Sequence, residues 1–248
     1  SIYSIKNLIK REQFLVSAVL IFCNYFVAYL GILFIRNGSI SNIEWVNFIP
    51  FVFSVLFSLL AYPLIYAFEE LFGITSDVSL MELTNTNMKL LRDLAYKAPG
   101  TFQHSLQVAN LAEAAIFKIG GNALLVRAGA LYHDIGKMDD PQYFIENQNT
   151  GANPHDTLPY EKSAQIIIQH VNKGVEMARK HRLPETVINF IRTHHGNTRV
   201  DYFYQSFLKN FPEQLVDENT FRYPGPIPFS KETAVLMLAD SVEAASRS

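Results

Sequence analysis

Two long runs without a charged residue constrain this chain more than any other feature. The first, from Gln13 to Ile35, reads QFLVSAVLIFCNYFVAYLGILFI, and the second, from Trp45 to Phe68, reads WVNFIPFVFSVLFSLLAYPLIYAF. A helix over either run extends about 35 Å, enough to cross a hydrocarbon core about 30 Å thick. Two wholly buried helices in a soluble core are the alternative, but runs so close together would need a large surrounding protein. We therefore predict two transmembrane helices with a lipid bilayer as their partner.

The basic residues beside these runs predict their orientation. Three basic residues precede the first run and three follow the second, namely Lys6, Lys10, Arg11, Lys89, Arg92 and Lys97, whereas the loop RNGSISNIE holds Arg36 and Glu44. By the positive-inside rule, both ends of the hairpin and everything after Phe68 face the cytoplasm. The chain begins at Ser1, and we interpret it as a fragment of a longer multi-pass protein of the cell membrane.

Cysteine usage and net charge exclude several functional classes. The one cysteine, Cys23, lies inside the first apolar run, so we expect neither a disulfide framework nor a cysteine metal site. The formal net charge is -2 and there is no basic tract, so we expect no nucleic acid polymer as a partner. The sequence leaves open whether the chain forms a homo-oligomer.

The remainder of the chain has helical periodicity, which predicts an all-α fold. We predict a membrane hairpin over 1–68, a helical connector over 69–97 and an all-helical domain over 98–248. Five helices are expected in this domain, within residues 101–121, 122–136, 158–182, 183–196 and 230–246. Thr101 and Ser230 are the expected N-caps of the first and the last, and Gly136 is expected to end the second.

Histidines recur at inward positions of these predicted helices. On the first helix, His104 shares a face with Val108, Leu111 and Ala115. A lone inward histidine is usually a hydrogen-bonded core residue. Five of the seven histidines on such faces, together with two aspartates, are hard to satisfy without a cation. We therefore predict a metal site made of His104, His133, Asp134, His170, His194, His195 and Asp240. His155 and His181 are expected to lie outside it.

The order of these residues resembles a known family. His104, then the pair His133-Asp134, then Asp240 resembles the HD superfamily of metal-dependent phosphohydrolases, an all-helical fold. The further histidines, His170 and the doublet at 194–195, resemble its subset with two metals. Seven segments in order resemble the seven-transmembrane HD proteins of the PgpH type, which hydrolyse cyclic di-AMP: APGTFQHSLQVANLAEAA, YHDIGKM, FIENQ, NPHD, HHG, FRYPGP and MLADSVEAASR.

This resemblance implies a ligand set and a reaction. One divalent ion would take His104, His133, Asp134 and Asp240, and the other Asp134, His170, His194 and His195. On a helix the adjacent side chains of His133 and Asp134 diverge by about 100°, so Asp134 can bridge the two ions. A hydroxide activated by both ions would cleave cyclic di-AMP to the linear dinucleotide 5'-pApA. Ligands rich in imidazole and free of thiol suit iron or manganese. Lys137, beside His133 and Asp134, completes the expected catalytic residues.

Other assignments stay open at this point. Lys137 is our candidate for the phosphate partner, and a solvated lysine after a helix end is the alternative. Weaker candidates for contacts to the nucleotide are Asn147, Gln148, Asn153 and Tyr223. Cyclic di-GMP phosphodiesterases share the two-metal core, but they carry a Gly-Tyr-Pro signature near the histidine doublet, where this chain has HHGN. A cyclic-dinucleotide receptor without turnover is the alternative from another functional class.

Overall fold

The computed structural model describes residues 12–39, 43–148, 151 and 153–246, and this part of the chain is mainly helical. Within it there is no β-strand, and Arg199 and Arg222 form one isolated β-bridge. The predicted all-α fold class is therefore confirmed. The chain divides between Glu82 and Leu83 into two compact units, each with its own packing. The connector that we predicted over 69–97 is shared between these units.

The first unit contains the two apolar helices, α1 (Glu12–Asn37) and α2 (Ile49–Phe72), with a 3-10 turn at Trp45–Phe48 before α2. By length and composition both can cross a membrane, with mean hydropathies of 2.3 over Val16–Asn37 and 2.2 over Trp45–Phe72. Most of their large apolar side chains are exposed, which suits helices whose solvent is lipid. The start of the chain, including Lys6, Lys10 and Arg11, lies outside the described residues.

Aromatic contacts and one tyrosine hydroxyl join the two membrane helices at their loop end. Tyr25 stacks on Phe51 with 5.1 Å between ring centroids. The hydroxyl of Tyr29 on α1 accepts hydrogen bonds from the backbone N–H of Glu44 and from Nδ2 of Asn47, each at 3.2 Å. These bonds satisfy polar groups at the start of the second helix. The short helix α3 (Asp77–Leu83) ends at the boundary between the two units.

The second unit is a bundle of seven helices within the described residues: α4 (Lys89–Lys97), α5 (Pro99–Ile119), α6 (Ala123–Tyr132), α7 (Tyr160–Lys180), α8 (Glu185–Thr193), α9 (Asp201–Asn210) and α10 (Lys231–Ala245). Helix α6 packs against α5, α8 and α10, while α7 packs against α8, α9 and the turn after α6. Leu94, Leu131, Phe190 and Leu236 are among its fully buried side chains. Burial of each such side chain contributes about 1.5–3 kcal/mol.

Two predicted helix ends are correct. Helix α4 stops at Lys97, before Pro99, and Ser230 caps α10 by accepting a hydrogen bond from the backbone N–H of Thr233. The predicted cap at Thr101 is wrong, because α5 begins at Pro99 and Thr101 lies buried within it. Proline suits the first helical position, where no N–H donor is needed.

The predicted stripe on α5 is only partly correct. His104 and Val108 are buried, but Leu111 is 44% exposed and Ala115 is exposed as well. The buried stripe turns instead toward other residues, which are Thr101, Ser105, Ala109, Ala112 and Ile116. Both stripes fit a period of 3.6 residues, so periodicity alone does not distinguish them.

The prediction that Gly136 ends the second helix is wrong. Helix α6 stops at Tyr132, Asp134 leaves the helical region with φ -109° and ψ 15°, and a 3-10 turn follows over Ile135–Met138. Gly136 does not have a positive φ. Its lack of a side chain matters for packing, because a Cβ there would lie 1.9 Å from the carbonyl oxygen of His170 on α7. Glycine thus allows the turn that carries Asp134 to approach α7.

Helix α9 was not predicted. Its sequence DYFYQSFLKN places Phe203 and Phe207 four residues apart, and both pack with Phe221 and Ala164 into a second apolar cluster. This cluster lies beside α7 and supports the segment between α8 and α10. That segment carries Tyr223, which reaches the site described below.

Candidate metal centre

Five helices bring the seven predicted ligands together. His104 comes from α5, His170 from α7 and Asp240 from α10, while His133 and Asp134 follow α6 and the histidine doublet follows α8. Their ligand atoms form three groups in which all atoms lie within 4.8 Å of one another: His104, His133 and Asp240; His170, His194 and His195; and His133, Asp134 and His194. The first group, with His104, is called the first cluster below, and the group of three histidines is called the second cluster.

Asp134 lies between the two clusters, and its carboxylate oxygens point to different sides. Oδ2 lies 3.2 Å from Nε2 of His133 and 3.5 Å from Nε2 of His104. Oδ1 lies 3.3 Å from Nε2 of His170 and 3.5 Å from Nε2 of His194. The side chain is 2% exposed. One carboxylate therefore faces both clusters at similar distances, an arrangement that a bridging ligand requires.

The backbone orients three of the histidine rings in the same way. In each, Nδ1 lies at hydrogen-bond distance from the carbonyl oxygen three residues earlier: His133 to Ala130 at 2.7 Å, His170 to Ile167 at 2.6 Å, and His194 to Ile191 at 2.9 Å. A carbonyl oxygen can only accept, so Nδ1 carries the hydrogen in all three rings. In a neutral ring, Nε2 then presents a lone pair to the site, as a metal ligand must.

Several of these inward polar atoms lack a partner. His133 Nε2 and Asp134 Oδ1 are buried without a hydrogen bond to any residue that the structure describes. The Nε2 atoms of His170 and His194 lie 3.1 Å apart, so two lone pairs face each other in the neutral rings. Uncompensated polar groups are costly in a protein interior. The imidazole and carboxylate donors therefore fit divalent cations, and no thiolate is among them.

The pKa shifts within the site differ between the two clusters. Burial lowers the pKa of His195 well below its usual range, and the neighbouring rings of His194 and His170 lower it further. Burial also lowers the pKa of His133, but the carboxylates of Asp134 and Asp240 outweigh this and raise it to about 10. The second cluster is therefore neutral, while a proton at His133 occupies the position of a cation in the metal-free protein.

Lys137 contacts the centre from the side of a cavity. Its Nζ lies 2.7 Å from Oδ2 of Asp134 and 2.9 Å from Oε1 of Glu146. Burial lowers the pKa of Lys137, but these two carboxylates raise it more, so the side chain stays charged. A cavity of about 180 Å³ is lined by Lys137 together with His104, Ile145, Glu146, His195 and Asp240. Lys137 therefore lies between the metal centre and a space that a ligand can enter.

Two carboxylates of this site were not predicted. Glu243 Oε2 lies 2.5 Å from Nδ1 of His104, and Glu146 holds Lys137 and accepts a hydrogen bond from Thr101. Glu243 could have been found, because it lies three residues after Asp240 and therefore on the same side of a helix. No spacing in the sequence points to Glu146, which reaches the site through irregular backbone.

The weaker candidates for nucleotide contacts have different positions. Tyr223 stacks on His195 with 4.1 Å between ring centroids and an angle of 23° between the rings. Asn147 is bonded to Thr101, and Gln148 to the carbonyl of Gln142, so local structure occupies both amides. Asn153 caps a 3-10 turn by accepting from the backbone N–H of His155. Tyr223 is thus the aromatic residue among them that contacts a predicted ligand.

The two histidines expected outside the site lie outside its three groups. His155 donates from Nε2 to the carbonyl of Tyr143 at 3.0 Å and packs against Phe203, so it supports a loop. His181 follows the last residue of α7 and is exposed.

Comparison with known proteins agrees with this architecture. The family model of the HD domain matches residues 101–245. The chain belongs to the HD-domain family. A second family model, described as "7TM receptor with intracellular HD hydrolase", matches residues 1–76, which include both apolar helices of this HD-domain chain. The resemblance seen in the sequence motifs is therefore confirmed.

Individual relatives extend this result. The chain is 39% identical over 250 residues to cyclic-di-AMP phosphodiesterase PgpH of Listeria monocytogenes, covering 100% of this chain and 34% of the relative. It is 44% identical over 224 residues to PgpH of Bacillus subtilis, covering 90% of this chain and 31% of the relative. The HD-domain chain thus spans about a third of the length of these curated relatives.

A solved structure supports the fold of the second unit. The crystal structure of the L. monocytogenes PgpH HD domain in complex with cyclic-di-AMP has a TM-score of 0.63 and 49% sequence identity. It covers 66% of this chain and 76% of that chain. At this identity the helical architecture of the second unit is that of an HD domain.

Proposed function

We propose that this HD-domain chain is part of a membrane-anchored, metal-dependent phosphodiesterase that hydrolyses cyclic di-AMP to the linear dinucleotide 5'-pApA. The observation that carries the proposal is the position of Asp134, whose two carboxylate oxygens face two separate groups of imidazoles. The names of the relatives, all of which refer to cyclic-di-AMP or its phosphodiesterase, support the substrate.

The residues that would hold the two ions follow from the two clusters. His104, His133 and Asp240 would hold one ion, the second cluster would hold the other, and Asp134 would contact both. Divalent ions bound there would lower the pKa of a bound water and polarise the phosphoryl oxygen that it attacks. Imidazole-rich ligation without thiolate favours iron or manganese.

The charges around the centre suit a phosphodiester when the ions are present. Four carboxylates, those of Asp134, Glu146, Asp240 and Glu243, surround the centre together with one ammonium group, that of Lys137. The metal-free site therefore has three more negative than positive charges when its imidazoles are neutral, and it would repel an anionic substrate. Two divalent ions would change this to an excess of one positive charge, which matches one phosphodiester anion.

Lys137 is the residue that we propose to contact the scissile phosphate. Its ammonium group has three N–H donors, and two are directed at Asp134 and Glu146. The third can donate to a non-bridging phosphate oxygen from the cavity side, and Glu146 keeps the side chain in that position. In the reaction, the water oxygen bonds to phosphorus while the bond from phosphorus to the 3'-oxygen breaks. The leaving 3'-oxygen takes a proton, and the product keeps a 5'-phosphate.

The membrane hairpin would hold this domain at the bilayer, facing the cytoplasm. The basic residues Lys89, Arg92 and Lys97 after the second span support this orientation. The description of the family model that matches the hairpin, with its intracellular HD hydrolase, agrees with it. A cyclic dinucleotide made in the cytoplasm would then reach the site directly.

A substrate panel tests the proposed specificity. The purified 248-residue chain in detergent, supplied with manganese, is incubated separately with cyclic di-AMP, cyclic di-GMP, linear pApA and a short RNA, and the products are separated by chromatography. We expect cyclic di-AMP to be cleaved fastest. Faster cleavage of cyclic di-GMP would contradict the substrate assignment but leave the metal chemistry in place. A chain that binds both metals and cyclic di-AMP without any cleavage would instead be a receptor.

A further inference from the structure

His104 differs from the other orienting histidines of the centre in what holds its ring. His133, His170 and His194 direct Nδ1 to backbone carbonyls, whereas His104 directs Nδ1 to the carboxylate of Glu243. Building on the metal centre of the proposed function, we propose that Glu243 is a positioning residue that makes the two metal positions unequal. Through His104, it causes the first cluster to bind its cation more tightly than the second.

The geometry lets Glu243 act on one cluster alone. Glu243 is 3% exposed and lies one helical turn after Asp240 on α10. The ring of His104 lies between these two carboxylates, with Nδ1 2.5 Å from Oε2 of Glu243 and Nε2 2.9 Å from Oδ1 of Asp240. Helix α10 therefore supplies both a ligand of the first cluster and the group that orients a second ligand. The second cluster consists of histidines from α7 and the end of α8 and has no such contact among the described residues.

The chemistry of the contact determines its direction. An ionised carboxylate accepts only, so His104 donates from Nδ1 and leaves the Nε2 lone pair for a cation. A hydrogen bond to an ionised acceptor is about twice as strong as one to a neutral carbonyl. It also makes the ring a more basic ligand. Loss of such an outer partner typically reduces metal affinity about 10- to 100-fold.

The charge distribution acts in the same direction. The first cluster includes Asp240 as a direct ligand and has Glu243 behind His104, in addition to the shared carboxylate of Asp134. The second cluster has three imidazoles and shares only Asp134. The first cation should therefore bind at the first cluster, and the second cation should be the one that exchanges readily.

Manganese(II) titrations of the metal-stripped 248-residue chain test this proposal, with calorimetry and metal analysis as readouts. The variant is Glu243→Gln, which keeps the shape and removes the charge. The matched control is Glu232→Gln on the same helix, whose Oε1 accepts only the exposed backbone N–H of Asn122. We expect wild type and the control to bind two ions in two steps. In Glu243→Gln we expect the tighter step to weaken about 10- to 100-fold while the other changes little.

A double-mutant cycle shows whether Glu243 acts through His104. If it does, Glu243→Gln should have almost no further effect on manganese affinity in a His104→Ala background. In a His195→Ala background, which leaves the first cluster intact, the full loss should remain. Thermal unfolding of the metal-free variants reports folding separately, and we expect Glu243→Gln to melt cooperatively.

Three results would overturn the proposal. Stepwise binding in Glu243→Gln that matches wild type would show that the carboxylate is not needed. Equal weakening of both steps, or additive effects of Glu243→Gln and His104→Ala, would show that Glu243 has only a general structural role. If wild type binds no manganese at all, the metal centre of the proposed function fails, and the inference fails with it.

Discussion

Nε2 of His170 and Nε2 of His194 lie 3.1 Å apart at the meeting of α7 and the end of α8. Both rings are fixed from behind, because each donates its Nδ1–H to a carbonyl of its own helix. Two such lone pairs repel each other unless a proton or a metal ion lies between them. The pKa of His194 is lowered by burial, which disfavours the proton. A cation shared with Asp134 satisfies the pair.

Removal of the shared carboxylate should affect both metal positions. We expect Asp134→Ala to lose at least one of two bound ions and to lower cyclic di-AMP hydrolysis to the background rate, because both clusters depend on this side chain. Metal analysis and product formation are the measurements. The control is His181→Ala, an exposed residue outside the site, which should keep both. Full metal content in Asp134→Ala would refute the bridging role.

Lys137 should matter for turnover and much less for metal content. We expect Lys137→Gln to keep both ions while kcat falls about 10²- to 10³-fold, since a donor to the phosphate is removed. The matched control is Lys173→Gln, which breaks a partly exposed ion pair with Asp140 and should change kcat less than twofold. Loss of metals from the Lys137 variant, or unchanged kcat, would argue against a role in phosphate contact.

Gly136 should be intolerant of a side chain because of packing. A Cβ at this position would lie 1.9 Å from the His170 carbonyl oxygen, so Gly136→Ala must push the turn with Asp134 away from α7. We expect a loss of about 1–3 kcal/mol in the free energy of unfolding, with weaker metal binding. Gly151→Ala, which meets no atom within 4 Å, is the control for thermal unfolding. Equal stability of the two variants would contradict the close approach.

The membrane orientation can be tested by labelling in intact cells. In a Cys23→Ser background, a cysteine at Ser39 in the hairpin loop should react with a membrane-impermeant thiol reagent, because the loop faces away from the cytoplasm. A cysteine at Gln205, an exposed position on α9, should react only after the cells are permeabilised. The reverse pattern would show that the HD domain faces outward. Ser105 is unsuitable as the comparison site because it is buried.

Residue types with a chemical purpose could be predicted from the sequence, and backbone detail could not. The seven candidate ligands came from inward histidines and aspartates, and the structure brings all of them together. The path of the chain around Asp134 differed from expectation. A continuous helix through Gly136 and a helix that stops at Tyr132 have similar local sequence preferences, and contact with α7 selects the second.

Partners of the ligands were hardest to predict. Glu146 reaches Lys137, and Tyr223 stacks on His195, through segments whose paths are set by packing between distant elements. Helix α9 was missed for a related reason. Its aromatic residues Phe203 and Phe207 pack against Phe221, so the stability of α9 depends on a tertiary cluster more than on local preference.

Metal dependence of cyclic di-AMP cleavage is the most direct test of this account. The 248-residue chain is stripped of metal with a chelator, dialysed, and incubated with cyclic di-AMP before and after manganese is added, with mass spectrometry of the products. We predict no product from the stripped chain, and 5'-pApA once about two manganese ions are bound per chain. Cleavage at the same rate without metal, or no cleavage by a chain that holds two manganese ions, would contradict it.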